Sequence, residues 1–257
     1  SLAFYAKQVR EYSDDGETFN GAYGYRWRQA ADHDYTAVGT HYNGTKIDQL
    51  DIIANHLSSS PESRRAVLSM WNVEDDLLKI GTPKRVEDED KYHPHTGTFY
   101  KTVIEDASKD VCCNLNVMFK VRKKRGPSQI GIYDVLDMTV TNRSNDLIWG
   151  MLGSNYVTFS VLQEYMASKI GVDVGFYHHF TNDLHAYDFN FHPDKYDPHH
   201  GDPYHQGRVK NNVPLVKDVM TFDEEVKHIV ENFSGQIPLG SQRLTVRYTE
   251  PFFEMVA

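Results

Sequence analysis

The chain has 257 residues, a formal net charge of −9 at pH 7 and two cysteines. That length suits one large domain or two small ones, with room for a substantial core. The acidic balance excludes a nucleic-acid-coating surface, which needs clustered Lys and Arg, and no apolar run approaches the roughly 18–20 residues that span a membrane.

In chain order, the start "SLAFYAKQVR" lacks the basic-then-apolar plan of a secretory signal and reads as the middle of a helix, so upstream material is expected. Ile47, Leu50, Ile53, Ala54 and Leu57 recur at helical spacing, predicting an amphipathic helix over 45–59 with Thr45 as its cap. Pro61 forces a turn, and "SRRAVLSMWNV" (63–73) reads as a strand. Residues 81–110, charged and carrying Gly, Pro and His, read as an exposed excursion. A strand follows over 113–121. The basic run "RKKRGPSQIG" (122–131) reads as a solvated hairpin connection, and a second strand then runs through Thr141. A mostly buried helix is predicted over 155–170 and a strand around 174–187. Strands alternating with helices indicate one mixed sheet domain with helices. The His-, Asp- and Pro-rich stretch 189–207 fits no metal-ligand spacing and reads as a surface loop.

Cys112 and Cys113 are adjacent, a poor geometry for an unstrained disulfide, and no other pair exists. Reduced thiols suggest the cytoplasm, and the sequons at Asn43, Asn142 and Asn232 are then chance matches.

Five separated pieces carry chemistry-bearing side chains. "GAYGYRWR" (21–28) is an aromatic and basic turn, and "SPESRR" (60–65) sets two arginines at the entry to a strand. "CCNLNVMF" (112–119) puts a thiol at the start of another. "NRSND" (142–146) crowds a cation, a hydroxyl, an amide and a carboxylate into one connection, and "NDLHAY" (182–187) holds His185 and Tyr187 on one strand face. Each alone has a plain structural reading: a polar turn ending in a helix cap, an inert buried thiol, or an aromatic with a satisfied polar tip.

Together, and in this order, Tyr23-Gly24, Ile47-Asp48-Gln49, Ser63-Arg64-Arg65, Trp71-Asn72-Val73, Cys113, Arg143-Ser144-Asn145-Asp146 and His185-Ala186-Tyr187 resemble the thymidylate synthase and pyrimidine-nucleotide hydroxymethylase family. The resemblance covers about residues 20–190, with 81–110 and 189–257 divergent. It implies an α+β fold over a single domain spanning 1–257: a large mixed β-sheet flanked by helices, paired through the sheet into a homodimer with shared active sites. No metal, nucleic acid or membrane is expected. The substrate is a pyrimidine nucleoside monophosphate and the co-substrate 5,10-methylenetetrahydrofolate. The setting implied is cytoplasmic, as in a virus-infected host cell.

By the same resemblance, Arg143 and Ser144 hold the substrate phosphate, and Arg64 and Arg65 reach it from the partner subunit. Guanidinium forks suit a phosphate because they pair with it bidentately. His185 and Tyr187 bind the sugar, and Asn155 reads the base. Cys113 is the nucleophile that adds to pyrimidine C6, activated by a neighbouring arginine; Tyr23 assists proton removal at C5, and Asp146 belongs to the catalytic group. Cys113 fits the family strand better than Cys112, which stands where relatives have Pro.

Departures from the synthase pattern point to hydroxymethyl transfer. Asn114 stands where His usually follows the nucleophile, and Met118 replaces a Gln. No Trp stands between Val9 and Asp15 to lie against the folate, and "RSND" is closer to viral deoxycytidylate hydroxymethylases. Thymidylate synthase is the alternative. Asn155 favours uracil, since an amide can donate to O4 and accept from N3–H. The stretch after Gly150 is one residue longer than the family spacing, however, and that register would put Ser154 in its place. Nothing before Tyr23 matches the family's upstream Glu and Arg, which keeps open an inactive nucleotide-binding relative. A Cys–His hydrolase built on Cys113 and His185 has no supporting pattern.

Overall fold

The computed structural model describes residues 21–28, 47–72, 76–77, 80–87, 100–105, 111–126, 131–189, 191 and 214–233. They fall into two compact units, one comprising 1–49 with 69–115 and the other 50–68 with 116–257.

In the first unit, "GAYGYRWR" is not the expected turn: Tyr23–Arg28 form a short helix, α1. The described parts of the expected excursion 81–110 form two strands. Strands β2 (Thr82–Glu87) and β3 (Tyr100–Glu105) pair antiparallel, Thr82 opposite Glu105 and Glu87 opposite Tyr100. A buried ion pair organises this unit. Arg26 makes a two-pronged contact with Asp76 at 2.9 and 3.0 Å, and its Nη1 also donates to the Met70 carbonyl. Asp76 in turn accepts from the backbone N–H groups of Asn72 and Cys112.

The second unit carries the apolar core. Helix α2 spans Gln49–Ser59, starting later than its periodicity suggested; Thr45 lies outside the described residues. Its buried face, Leu50, Ile53, Ala54 and Leu57, keeps the predicted stripe. The strand expected over 63–73 contracts to β1, Val67–Ser69. Strand β4 (Asn114–Arg125) runs four residues beyond its expected end, so the basic run belongs largely to the strand and only 126–131 make the connection, with Gly126 N–H donating to the Gly131 carbonyl. Strand β5 (Ile132–Asn142) follows, and α3 (Asn155–Ile170) crosses over to β7 (Asp173–Thr181), which pairs parallel with β5. A parallel neighbour requires such a crossover.

The sheet order is β1-β4-β5-β7. Val117, Phe119 and Val121 of β4 and Leu136, Met138 and Val140 of β5 are buried, as are Phe159, Leu162 and Met166 of α3, which packs against β5 and β7. Each such side chain contributes about 1.5–3 kcal/mol on leaving water. Helix α3 ends where Gly171 turns left-handed (φ 84°), a conformation that costs a residue with a Cβ. Helix α4 (Val219–Phe233), unanticipated from sequence, is tied to α3 by Tyr165, whose hydroxyl donates to Asp223 at 2.9 Å. The stretch 192–213 lies outside the described residues, as does most of the His-rich segment. Among the described residues no helix is long and apolar enough to cross a membrane.

Candidate active site

Two loops that leave the sheet at the same end are laced together. Asn182 N–H donates to the Asn142 carbonyl at 3.0 Å, and Asn145 N–H to the Asp183 carbonyl at 2.8 Å. The short strands β6 (Asn145–Asp146) and β8 (Leu184–His185) pair parallel, putting Asp146 opposite His185. This lacing brings together Ser144 and His185, 41 positions apart in the chain. Ser144 Oγ lies 3.4 Å from His185 Nδ1, and the Tyr187 ring meets the His185 ring edge-on at 5.1 Å. Tyr187 itself stands just beyond β8 and is exposed. Arg143 is half-buried in the same connection. A cation, a hydroxyl and an imidazole gathered in this way can hydrogen-bond an anionic or hydroxylated ligand.

Asp183 also approaches His185 Nδ1, at 3.6 Å. Ser144 and Asp183 therefore compete for one ring nitrogen. A nucleophile–base–acid relay would need them on opposite nitrogens, so this trio is not a hydrolytic triad.

Asp146 caps the next element, accepting a short hydrogen bond from Trp149 N–H. Its second oxygen is buried and meets no hydrogen-bond donor among the described residues. The capped element is a π-helix, Leu147–Ser154, kinked at Gly153 and closed by Asn155 N–H bonding the Gly150 carbonyl. A π turn accommodates one residue more than an α turn, which absorbs the extra residue after Gly150. Ser154 turns outward and bonds the Trp149 carbonyl, whereas Asn155 heads α3 with its amide donating to Asn145 Oδ1 at 2.9 Å. Gly150 permits that contact, because a Cβ there would sit 2.1 Å from Asn145 Oδ1.

Arg64 and Arg65 are both exposed in the turn between α2 and β1. Ser63 builds the turn: its hydroxyl meets His56 Nε2 at 2.6 Å and accepts from Arg65 N–H. Cys113 and Tyr23 belong to the first unit. The two thiols there differ sharply. Cys112 is buried, donates to the Asn114 carbonyl at 3.2 Å, and burial pushes its pKa up to about 12, with the Arg26 charge pulling the other way. Such a thiol stays protonated and inert. Cys113 is half-buried, immediately ahead of β4. Tyr23 opens α1, its ring 6.3 Å from that of Trp27.

Three participants escaped the sequence reading. Asn145 was visible only as the unspecified third position of "RSND". Its amide lies 3.4 Å from His179 Nε2, and His179 Nδ1 lies 2.9 Å from the Tyr177 hydroxyl. Alternation along β7 does put Tyr177 and His179 on one face, but nothing in sequence joins them to Asn145.

The thymidylate synthase family model matches residues 5–225, well over half of the chain. The chain belongs to the thymidylate synthase family. Relatives of both branches are similar to it. A deoxyuridylate hydroxymethyltransferase of Pseudomonas phage M6 is 38% identical over 187 residues, covering 73% of this chain and 39% of its own. The protein of the same name from Bacillus phage SP01 is 32% identical over 189 residues, 72% and 38% of the two chains. A thymidylate synthase of Streptococcus mutans is 28% identical over 175 residues, 67% and 50% respectively. Among solved structures, thermostable thymidylate synthase A from Bacillus subtilis shares 24% identity over 71% of this chain and 48% of its own, with a TM-score of 0.43. The chain thus spans about two fifths of the length of the phage relatives. Family membership agrees with the α+β architecture described above, a mixed sheet with helices.

Proposed function

We propose that this chain carries a folate-dependent deoxyuridylate 5-hydroxymethyltransferase activity. The observation that supports this most directly is the Asn155 amide. It heads α3 beside the Ser144–His185 turn, its Nδ2 held by Asn145, while its Oδ1 accepts from no described residue. An amide in that setting can donate to uracil O4 and accept from N3–H, a pair that cytosine does not offer in the same orientation. Similarity to phage proteins named deoxyuridylate hydroxymethyltransferases points the same way.

In this reading the Cys113 thiolate adds to C6 of the uracil, which makes C5 nucleophilic. Methylenetetrahydrofolate supplies the one-carbon unit that C5 attacks. Loss of the C5 proton, assisted by Tyr23, expels tetrahydrofolate from the bridging carbon and leaves an exocyclic methylene on C5. Water then adds to the exocyclic methylene as the thiolate leaves, giving a hydroxymethyl group. Arg143 and Ser144 take the phosphate, His185 and Tyr187 the sugar. Asp146 serves catalysis by holding the π-helix that presents Asn155. The aromatic co-substrate has suitable apolar groups on that helix, where Trp149 and Leu152 are 73% and 67% exposed.

A homodimer with shared sites completes the phosphate cradle, with Arg64 and Arg65 of each subunit serving the other. The outward face of the sheet supports it. Phe176 and Phe180 are 59% and 61% exposed there, on the face opposite the core, alongside Met118 and Val67. Apolar area of this kind is normally covered by a partner.

The test is tritium release from C5-tritiated dUMP in the presence of methylenetetrahydrofolate, with mass spectrometry of the product. Release without dihydrofolate formation, and a product heavier by a hydroxymethyl group, is expected. Dihydrofolate formation would instead identify a thymidylate synthase, and absence of release from both dUMP and dCMP would remove the enzyme reading. Cys113→Ser should abolish release, and mixing it with Arg64→Ala subunits should restore part of it.

A further inference from the structure

The amide that reads the base is itself read from behind. Four side chains of one unit form a line: Tyr177 hydroxyl to His179 Nδ1 at 2.9 Å, His179 Nε2 to Asn145 Nδ2 at 3.4 Å, and Asn145 Oδ1 to Asn155 Nδ2 at 2.9 Å. Asn145 is only 3% exposed, and the imidazole is boxed in by the edge of the Phe159 ring and the stacked Tyr177 ring. Asn145 is thus walled off from most of the solvent that could satisfy a misdirected donor or acceptor.

The directions along this line are interlocked. Asn145 Nδ2 can only donate, so His179 Nε2 must be the bare, accepting nitrogen. The ring proton then sits on Nδ1 and donates to the Tyr177 oxygen, which requires a neutral imidazole. Burial pulls the His179 pKa below its ordinary value, in keeping with that requirement. Asn145 must then offer its oxygen to Asn155, so Asn155 turns its nitrogen toward Asn145 and keeps its oxygen on the far side. In that orientation the Asn155 amide matches uracil. Moving the ring proton to Nε2 would reverse both amides together. Asn155 would then accept from an exocyclic amine and donate to a bare N3, which is the pattern of cytosine.

We propose that Asn145 and His179 are positioning residues that lock the orientation of the Asn155 amide and thereby set the preference for uracil over cytosine. This rests on the reading of Asn155 as the base-contacting residue. Neither Asn145 nor His179 touches the nucleotide; both act through Asn155. Gly150 belongs to the device, since only a residue without a Cβ leaves room for the Asn145 oxygen in the required position.

The experiment measures dUMP and dCMP dissociation constants separately, by calorimetry on the full chain, for the wild type, Asn145→Ala and Asn145→Asp. A carboxylate at 145 can only accept, so it still forces the Asn155 nitrogen inward and should retain the dUMP preference. Alanine frees the Asn155 amide to rotate, and the dUMP-to-dCMP affinity ratio should fall about ten- to a hundredfold. A merely structural role would move both variants alike. An unchanged ratio in a natively folded Asn145→Ala protein overturns the proposal. Imidazole ¹⁵N NMR of the ligand-free wild type supplies a reading that needs no variant: His179 should be the Nδ1–H tautomer, and an Nε2–H tautomer overturns the proposal. Should the wild type bind neither nucleotide while His179 is Nδ1–H, the assignment of Asn155 to the base fails, and the base-selecting role falls with it.

Discussion

Replacing Asp76 by alanine tests the ion pair that anchors the backbone just ahead of Cys113. Arg26 and Asp76 are 5% and 0% exposed. The substitution deletes two charge-assisted bonds to Arg26, and it removes the acceptor of the Asn72 and Cys112 N–H groups. Stripping one partner from a buried pair costs about 3–5 kcal/mol, because the remaining charge has lost its counter-ion in a poorly solvated place. For a chain of this size that corresponds to a fall of roughly 6–20 °C in Tm. Arg26→Met should cost a similar amount. Arg26→Met combined with Asp76→Ala should cost at least about 2 kcal/mol less than the two singles summed, since no charge is then left behind. Urea unfolding of the four proteins closes the cycle. Additive singles, or an Asp76→Ala cost below about 1 kcal/mol, would refute the view that this pair is a coupled, desolvated unit.

Under native conditions at mildly alkaline pH, iodoacetamide should label Cys113 and spare Cys112, whose pKa is near 12; peptide mass mapping reads this directly, and equal labelling would contradict the burial argument. Gly150→Ala should destabilise the protein by about 1–3 kcal/mol in urea titrations, since its Cβ would collide with Asn145 Oδ1. Asp137 should contribute to acid sensitivity. Burial raises its pKa, but the Arg122 hydrogen bonds, the Phe176 N–H and the Arg122 and His178 charges outweigh it, so the carboxyl sits below its usual 3.8. Its stabilisation is therefore complete above about pH 5 and lost as pH falls through the lowered value. Asp137→Asn should show a shallower loss of stability as pH falls below the ordinary carboxyl value, measured by urea midpoint.

Helix α3 was legible to the residue, because its buried face is long and Gly171 supplies an unambiguous stop. The α2 stripe was equally clear, though its start was not, since Ile47 fits the same period without being helical. Strand 63–73 was overread. The N–H groups of Met70 and Trp71 both go to the Leu115 carbonyl, which ends regular pairing after Ser69, and no periodicity announces such a break. The β2–β3 hairpin was invisible because Lys84 and Lys101 are exposed and Pro83 argues against a strand. At the candidate site the residues of the Arg143–Asp146 and His185–Tyr187 pieces could be paired only through their resemblance to a family pattern. The Asn145–His179 contact required the fold, since β7 must lie parallel to β5 before those side chains meet.

The wide turn at Leu147–Ser154 also bears on how this chain tolerates insertion. A residue added to an ordinary α-helix rotates everything downstream by about 100°. Here that would swing Phe159, Leu162 and Met166 off the sheet and expose the hydrophobic heart of the unit. By swelling a single turn instead, the chain keeps the sixteen-residue helix in phase with the sheet and confines the change to the mouth of the site. A change of one residue in this segment can thus be taken up in the turn itself, leaving the threading of the core as it is.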